Sequence, residues 1–448
     1  MNSGILRTIL FLLFPLLGFS TDTIVGYYPF WVQDEFSEQD LHLDHLTHVM
    51  HAFAYPRPNG TIDMHPNFLN PQLNARVHEA GKSILLSLGG WGNSEGFPPM
   101  AADSTTRRLF IENVINFCQQ HNYDGVDLDW EYPKSAQERH HLSLLIREMR
   151  QAFDQLDRSQ PLLITMAVTA SDWNGKWWDY DALTPHVDWF GCMTYDFHGP
   201  WTNHAGHNSP LYPSGGDTDG SVSQGIAYLT QTRNVPPDKV LLGIPFYGRG
   251  FNASELYGSA TGSGGEYHYS DIPGLLESGW TRYWDDVAKV PYLTNSQNTM
   301  LISYDDTLSV RHKAEYAISK QLKGVMIWAL GQDHSDGQQP LLGSISRAMA
   351  QQTRVGRRQE TPSKVVLNSY PNPFNQNTRI SVSLPSASQI TLDVYDLCGR
   401  RVSRVFQGPH AGGSRSFAFV APSVASGVYL CTLSTDDNLY STQLTLLR

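Results

Sequence analysis

From residue 24 to residue 330 the chain alternates short apolar strands with stretches of helical periodicity. The strands read as Ile24–Trp31, His48–Tyr55, Ser83–Leu88, Gly125–Glu131, Leu162–Val168, Trp189–Tyr195, Val240–Pro245 and Val325–Leu330. Amphipathic segments such as Ser104–His121, Ala136–Leu156, Ser221–Arg233 and Ser309–Leu322 lie between them. Strands that are apolar throughout belong in a parallel sheet covered on both faces. Eight of them alternating with helices predict a (β/α)8 barrel, whose functional groups gather at the C-terminal ends of the strands. Glu131, Trp91, Tyr195, Tyr247 and Trp328 are expected at such ends.

Residues 251–301 interrupt the alternation with a Gly-, Ser- and Tyr-rich stretch too long for a βα connection. They predict a small α+β insertion walling one side of a cleft. The barrel domain, residues 21–350, is expected to be followed by a polar linker over 351–364. Short strands at regular spacing then predict an all-β, immunoglobulin-like sandwich over 365–448: Thr378–Leu384, Gln389–Tyr395, Ser416–Val420, Gly427–Ser434 and Tyr440–Leu447. Residues 1–20 read as a secretory signal, with Arg7, an apolar run from Thr8 to Phe19, and Gly18-Phe-Ser20 as the cleavage site. Nothing else reaches transmembrane length.

Charge narrows the partners. Residues 364–448 hold seven Lys/Arg against four Asp/Glu, a balance of +3 that leaves −14 on the rest of a chain with net charge −11. An acidic barrel disfavours nucleic acid. The four cysteines, at 118, 192, 398 and 431, have neither zinc-like nor CxxC spacing, and a bridge between Cys398 and Cys431 stays open. His45, His48 and His51 straddle a helix-to-strand transition and do not converge. His198, His204 and His207 are expected to line the cleft as polar groups. Neither a metal nor a cofactor is expected.

The chemistry concentrates in Asp124-Gly-Val-Asp127-Leu-Asp129-Trp-Glu131-Tyr-Pro133. Alternate strand residues share a face, so Asp127, Asp129 and Glu131 form a column while Val126, Leu128 and Trp130 face an apolar layer. Three neighbouring acids out of bulk water cannot all ionise comfortably. Such a column suits glycoside hydrolysis. Glu131 is the outermost acid/base, Asp129 can bind a substrate amide, and Asp127 can share a proton with Asp129.

This motif resembles the DxxDxDxE signature of glycoside hydrolase family 18, the chitinases. Ser87-Leu-Gly-Gly-Trp91, Met193-Thr-Tyr195-Asp196-Phe-His-Gly, Gly243-Ile-Pro-Phe-Tyr247-Gly-Arg249-Gly, Ile302-Ser-Tyr-Asp-Asp306 and Gly324-Val-Met-Ile-Trp328 resemble further strands of that family. The resemblance implies retaining, substrate-assisted hydrolysis of β-1,4-linked N-acetylglucosamine in chitin and chitooligosaccharides. Glu131 would be general acid/base, Asp129 would hold the acetamido N–H, Tyr195 would donate to its carbonyl, and Trp328 would floor the cleavage subsite. Tyr28, Phe53, Trp91, Met193, Asp196, Tyr247 and Arg249 would bind substrate. The alternatives are an endo-β-N-acetylglucosaminidase on N-glycans and a non-catalytic chitin-binding lectin.

Tyr370-Pro-Asn-Pro-Phe-Asn, Val394-Tyr-Asp-Leu-Cys-Gly-Arg400 and Ala425-Ser-Gly-Val-Tyr429 resemble a type IX secretion sorting domain. It implies the secretion machinery as partner and a secreted or cell-surface protein, the alternative being an immunoglobulin-like accessory or carbohydrate-binding module; a monomer is expected.

Overall fold

The computed structural model describes residues 22–357, 365–370, 372–410, 413–421, 424–436 and 438–447. The expected signal segment and half of the expected linker, residues 358–364, lie outside them. The chain forms two compact units that divide after Gln351.

The first unit is a TIM barrel. Its strands are β1 (Thr23–Pro29), β2 (His48–Pro56), β3 (Ser83–Gly89), β4 (Gly125–Asp129), β5 (Leu163–Thr169), β6 (Trp189–Met193), β7 (Val240–Pro245) and β8 (Gly324–Trp328). Each pairs in parallel with its sequence neighbours, and β1 closes the ring on both β2 and β8. Outward residues such as Val49, Leu86, Val126, Leu128, Ile164 and Ile327 join the helices in one continuous apolar layer. A smaller set, including Val25, Met50, Leu85, Trp189, Leu241 and Met326, fills the barrel interior.

Aspartates trim the bottom of the ring. Asp124 Oδ2 accepts the Ile84 N–H at 2.8 Å and pairs with His78, and Asp188 Oδ2 accepts the Ile164 N–H at 2.8 Å. Each carboxylate caps the first free amide of a neighbouring strand, a stabilising task at the N-terminal face. β4 ends at Asp129 and β6 at Met193, shorter than their apolar patterns suggest. Glu131 and Tyr195 therefore stand on the loops just beyond their strands.

The insertion is a five-stranded antiparallel sheet in the spatial order Ser263–His268, Tyr247–Phe251, Leu301–Ser303, Val290–Thr294 and Thr281–Asp285, with the helix Ile272–Glu277. Its first strand starts at Tyr247, so Tyr247 and Arg249 belong to this sheet and not to the rim of the barrel. The long helix Pro340–Arg357 runs past residue 350.

The second unit is a two-sheet sandwich. Val366–Tyr370, Asn377–Leu384 and Gly413–Val420 make one sheet, and Arg401–His410, Ser388–Tyr395, Gly427–Ser434 and Leu439–Leu446 the other. Ile380, Val382, Leu392, Val394, Phe417, Leu433 and Leu444 pack between them. Cys431 is buried and Cys398 exposed, and both are free thiols. Among the described residues no helix is long and apolar enough to cross a membrane.

Candidate active site

The acid column rises inside the barrel from β4. Asp127, lowest and buried, accepts three hydroxyls: Tyr27 at 2.7 Å and Ser87 at 2.8 Å on Oδ2, and Thr165 at 2.6 Å on Oδ1. They come from β1, β3 and β5, so three other strands of the barrel converge on one carboxylate. Both of its oxygens are engaged by these hydroxyls, while burial raises its carboxyl against them.

Asp129 is also buried, yet its Oδ1 has no hydrogen-bond partner. Buried polar atoms are normally paired, so an orphaned acceptor in a cleft is an opening for a donor. Burial, then the charges of Glu131 and Asp127, hold its carboxyl well above the usual range. Glu131 is partly exposed at the mouth. Burial pushes its carboxyl up to about 7, helped by Asp196, while a hydrogen bond from Tyr132 works the other way. Ser94 fixes the turn between them, accepting the Glu131 N–H at 2.9 Å and donating to the Asp129 carbonyl at 3.2 Å.

The paired glycines at the end of β3 make room for this column. Gly89 and Gly90 have φ of +108° and +82°. A Cβ on the first would lie 2.3 Å from the Asp129 carbonyl oxygen, and on the second 2.7 Å from the Phe53 ring. Only glycine satisfies both the dihedral and the contact.

Across the mouth, burial and then the charges of Asp129 and Glu131 raise the Tyr195 phenol, which keeps it a neutral donor. Asp196 follows with φ of +58°. Arg249 grips its carboxylate with two prongs, Nε to Oδ1 at 2.8 Å and Nη2 to Oδ2 at 2.9 Å, and its Nη1 reaches Glu266 at 2.8 Å. This fork joins the barrel rim to the insertion. Trp328, at the end of β8, stacks on Phe53 at 5.5 Å and 23° and meets the edge of Tyr27 at 5.5 Å. Met193 packs with the same interior group.

Residues 23–333 match the family described as Glycosyl hydrolases family 18. The chain belongs to this family. Residues 368–446 match a Secretion system C-terminal sorting domain, which marks an exported, extracellular or cell-surface protein. Among curated relatives of this family-18 chain, Chitinase A1 of Niallia circulans is 30% identical over 396 residues, covering 70% of the chain and 56% of that protein. The probable endochitinase of Caenorhabditis elegans is 30% identical over 369 residues, covering 72% and 59%. The chain thus spans less than two thirds of the length of these relatives. Among solved structures, the Group IV chitinase of Ostrinia furnacalis in complex with allosamidin aligns at a TM-score of 0.68 and 29% identity, over 74% of this chain and 99% of that one. Human YKL-39, described as a pseudo-chitinase with retained chitooligosaccharide binding, aligns at 0.68 and 27% over 73% and 99%.

Four exposed tryptophans surround the family-18 mouth. Trp31, Trp91, Trp173 and Trp201 are 54%, 76%, 69% and 58% exposed. All four follow the C-terminal ends of barrel strands, and only Trp91 is among the residues expected from sequence. Trp31 lies 6.3 Å from Trp328, and Tyr132 bridges Trp91 and Trp173 at 6.4 and 5.8 Å. One expected residue is misplaced. Tyr28 is fully buried on the outer side of β1, where its hydroxyl donates to the Phe36 carbonyl at 2.6 Å. It cannot line the cleft, because strand alternation gives the interior position to Tyr27. Phe53 is almost wholly buried and supports Trp328 from below.

The histidines part company. His45, His48 and His51 turn to Ser346, Thr47 and Tyr123 respectively. His207 faces Ser303 and Asp285. His198 and His204 instead converge on Asp217 and Asp219.

Proposed function

We propose that this chain is a secreted chitinase that hydrolyses β-1,4-linked N-acetylglucosamine polymers with retention of configuration, the substrate's own acetamido group acting as nucleophile. The observation that carries this reading is the buried, unpartnered Oδ1 of Asp129 beneath a glutamic acid raised to about 7. Family 18 lies outside the usual scheme of two catalytic carboxylates.

Glu131, protonated near neutral pH, gives its proton to the glycosidic oxygen as the C1–O bond breaks. The acetamido carbonyl oxygen attacks C1, and an oxazolinium ion forms. Asp129 Oδ1 accepts the acetamido N–H, a hydrogen bond that strengthens as the nitrogen gains positive charge. Tyr195 donates to the acetamido oxygen and sets its aim. Asp127, fixed by three hydroxyls, adds negative charge beneath the developing cation. Water then adds to C1 and returns its proton to Glu131, and two inversions at C1 give net retention. Trp328 floors the reacting sugar, while the exposed indoles on either side suit stacking on a long polymer. Met193, Asp196, Tyr247 and Arg249 complete the walls.

A lectin reading has support in YKL-39, a pseudo-chitinase of the same fold. The glutamic acid at 131 and its raised pKa favour an enzyme. The deciding experiment follows products from chitin hexamer and from an N-glycopeptide, with anomer analysis at early times. Shorter β-anomeric oligosaccharides from the hexamer support the proposal. Cleavage of the glycopeptide alone supports the glycan hydrolase, and tight hexamer binding without turnover supports the lectin.

A further inference from the structure

The loop following β6 gathers four side chains that the glycosidase chemistry does not use. His198 is fully buried, and its Nδ1 lies 2.9 Å from the His207 carbonyl oxygen. A carbonyl only accepts, so Nδ1 carries the proton and Nε2 presents its lone pair. That Nε2 has no hydrogen-bond partner. It faces Asp217 Oδ2 at 3.2 Å and Asp219 Oδ2 at 3.5 Å. His204 repeats the arrangement: its Nδ1 meets Asn203 Oδ1 at 3.1 Å, and its Nε2 lies 3.9 Å from Asp217 Oδ1 and 3.4 Å from Asp219 Oδ2. The four ligand atoms all lie within 4.8 Å of one another.

Lone pairs and carboxylates turned inward on one point repel unless a proton or a metal cation sits among them. Among the described residues, neither Asp217 nor Asp219 forms an ion pair with Lys or Arg, so the protein supplies only the two imidazoles. A divalent ion would bring the set to neutrality. For tetrahedral zinc, metal–nitrogen and metal–oxygen distances of about 2.0–2.2 Å make ligand–ligand edges of roughly 3.3–3.6 Å. The observed N···O separations, 3.2 to 3.9 Å, bracket that edge. Two imidazoles select a transition ion over calcium or magnesium, which take oxygen ligands. Each imidazole also has an oxygen acceptor behind its Nδ1, the outer-shell partner that orients metal-binding histidines. Gly206 belongs to the same design, since a Cβ there would lie 2.2 Å from the His198 ring.

We propose that His198, His204, Asp217 and Asp219 bind one zinc ion. With four protein ligands the site is closed, so its role is structural. The ion cross-links the loop that carries Asp196 and Trp201 at the mouth of the barrel.

The test uses the full chain, untagged. Metal content is measured after purification without chelator, and zinc is titrated calorimetrically into protein stripped with EDTA. One zinc per chain is expected, with a rise in melting temperature on zinc addition, because an ion that binds only the folded state stabilises it. His204→Asn and Asp219→Asn alter partly exposed ligands and spare the buried core; each should weaken zinc binding roughly tenfold or more, about 1.4 kcal/mol per decade. Cobalt(II) in place of zinc should give the intense visible bands of four-coordination, lost in both variants. Stripped protein that takes up no stoichiometric zinc overturns the proposal. So does zinc binding of equal affinity in the wild type and both variants.

Discussion

Tyr27 donates its hydroxyl to Asp127 Oδ2 across 2.7 Å, linking β1 to a residue one hundred positions later on β4. Burial raises the Asp127 carboxyl, and this bond works the other way, favouring the carboxylate beneath Asp129. Tyr27→Phe removes one of three donors and should lower kcat by roughly tenfold, since a hydrogen bond to a charged group contributes about 1.5–3 kcal/mol. KM should hardly move, because Tyr27 lies beneath the sugar-binding surface. Steady-state kinetics on chitin hexamer separates the two constants.

Glu131→Gln keeps the shape of the side chain and removes its proton chemistry. General acid–base catalysis contributes about 10²–10⁴-fold, and a loss of that size in kcat is expected. Hexamer affinity, read by calorimetry on the variant, should stay within a few-fold of wild type.

The raised carboxyl of Glu131 also sets a pH dependence. Its acid form disappears as pH rises through about 7, so kcat/KM should fall on the alkaline side with a midpoint near there. Stability follows the same sign. A carboxyl whose folded pKa exceeds its unfolded value of about 4.3 contributes most below that value and loses its contribution as pH rises through the folded pKa. Glu131→Gln should therefore melt higher than wild type at pH 8 and show no such advantage at pH 4.

Trp31 exposes its indole beside Trp328. If it extends the stacking floor, Trp31→Ala should raise KM for the hexamer several-fold, in line with the roughly 0.5–1.5 kcal/mol of an aromatic contact. KM for a disaccharide analogue spanning only the Trp328 subsite should not change. Comparing the two substrates checks the assignment.

Lys313 is completely buried, with Nζ at 2.6 Å from Asp305 and 2.7 Å from Ser209. Lys313→Met strands the buried carboxylate and should destabilise the barrel by about 3–5 kcal/mol, whereas Lys313→Met with Asp305→Leu should recover much of that loss. Urea unfolding of both variants distinguishes the outcomes.

The barrel was legible because most of its strands are largely apolar runs, and the acids of β4 stood out against them. The limits were local. Tyr28 and Tyr27 are adjacent, and a one-residue choice on a strand selects the opposite face of the sheet. Trp31 and Trp173 sit in single helical turns and Trp201 in a loop, segments too short to show a period. In the strand Arg401–His410 only His410 is buried and the apolar residues do not alternate, so no hydrophobic pattern announces it. His198, His204, Asp217 and Asp219 meet only through the path of a long loop, and nothing in their spacing foretells that meeting.

The two faces of β4 divide the labour. Val126 and Leu128 face the helices, while Asp127 and Asp129 face the interior. Neutral drift can thus exchange one aliphatic residue for another on the outer face without disturbing a single catalytic contact. The inner face tolerates far less, since Asp127 is bound to hydroxyls from three other strands. Diverging lineages of such a barrel should differ in their outer packing long before they differ in the column, and an ancestral chain with a foreign exterior could still turn over the same sugar.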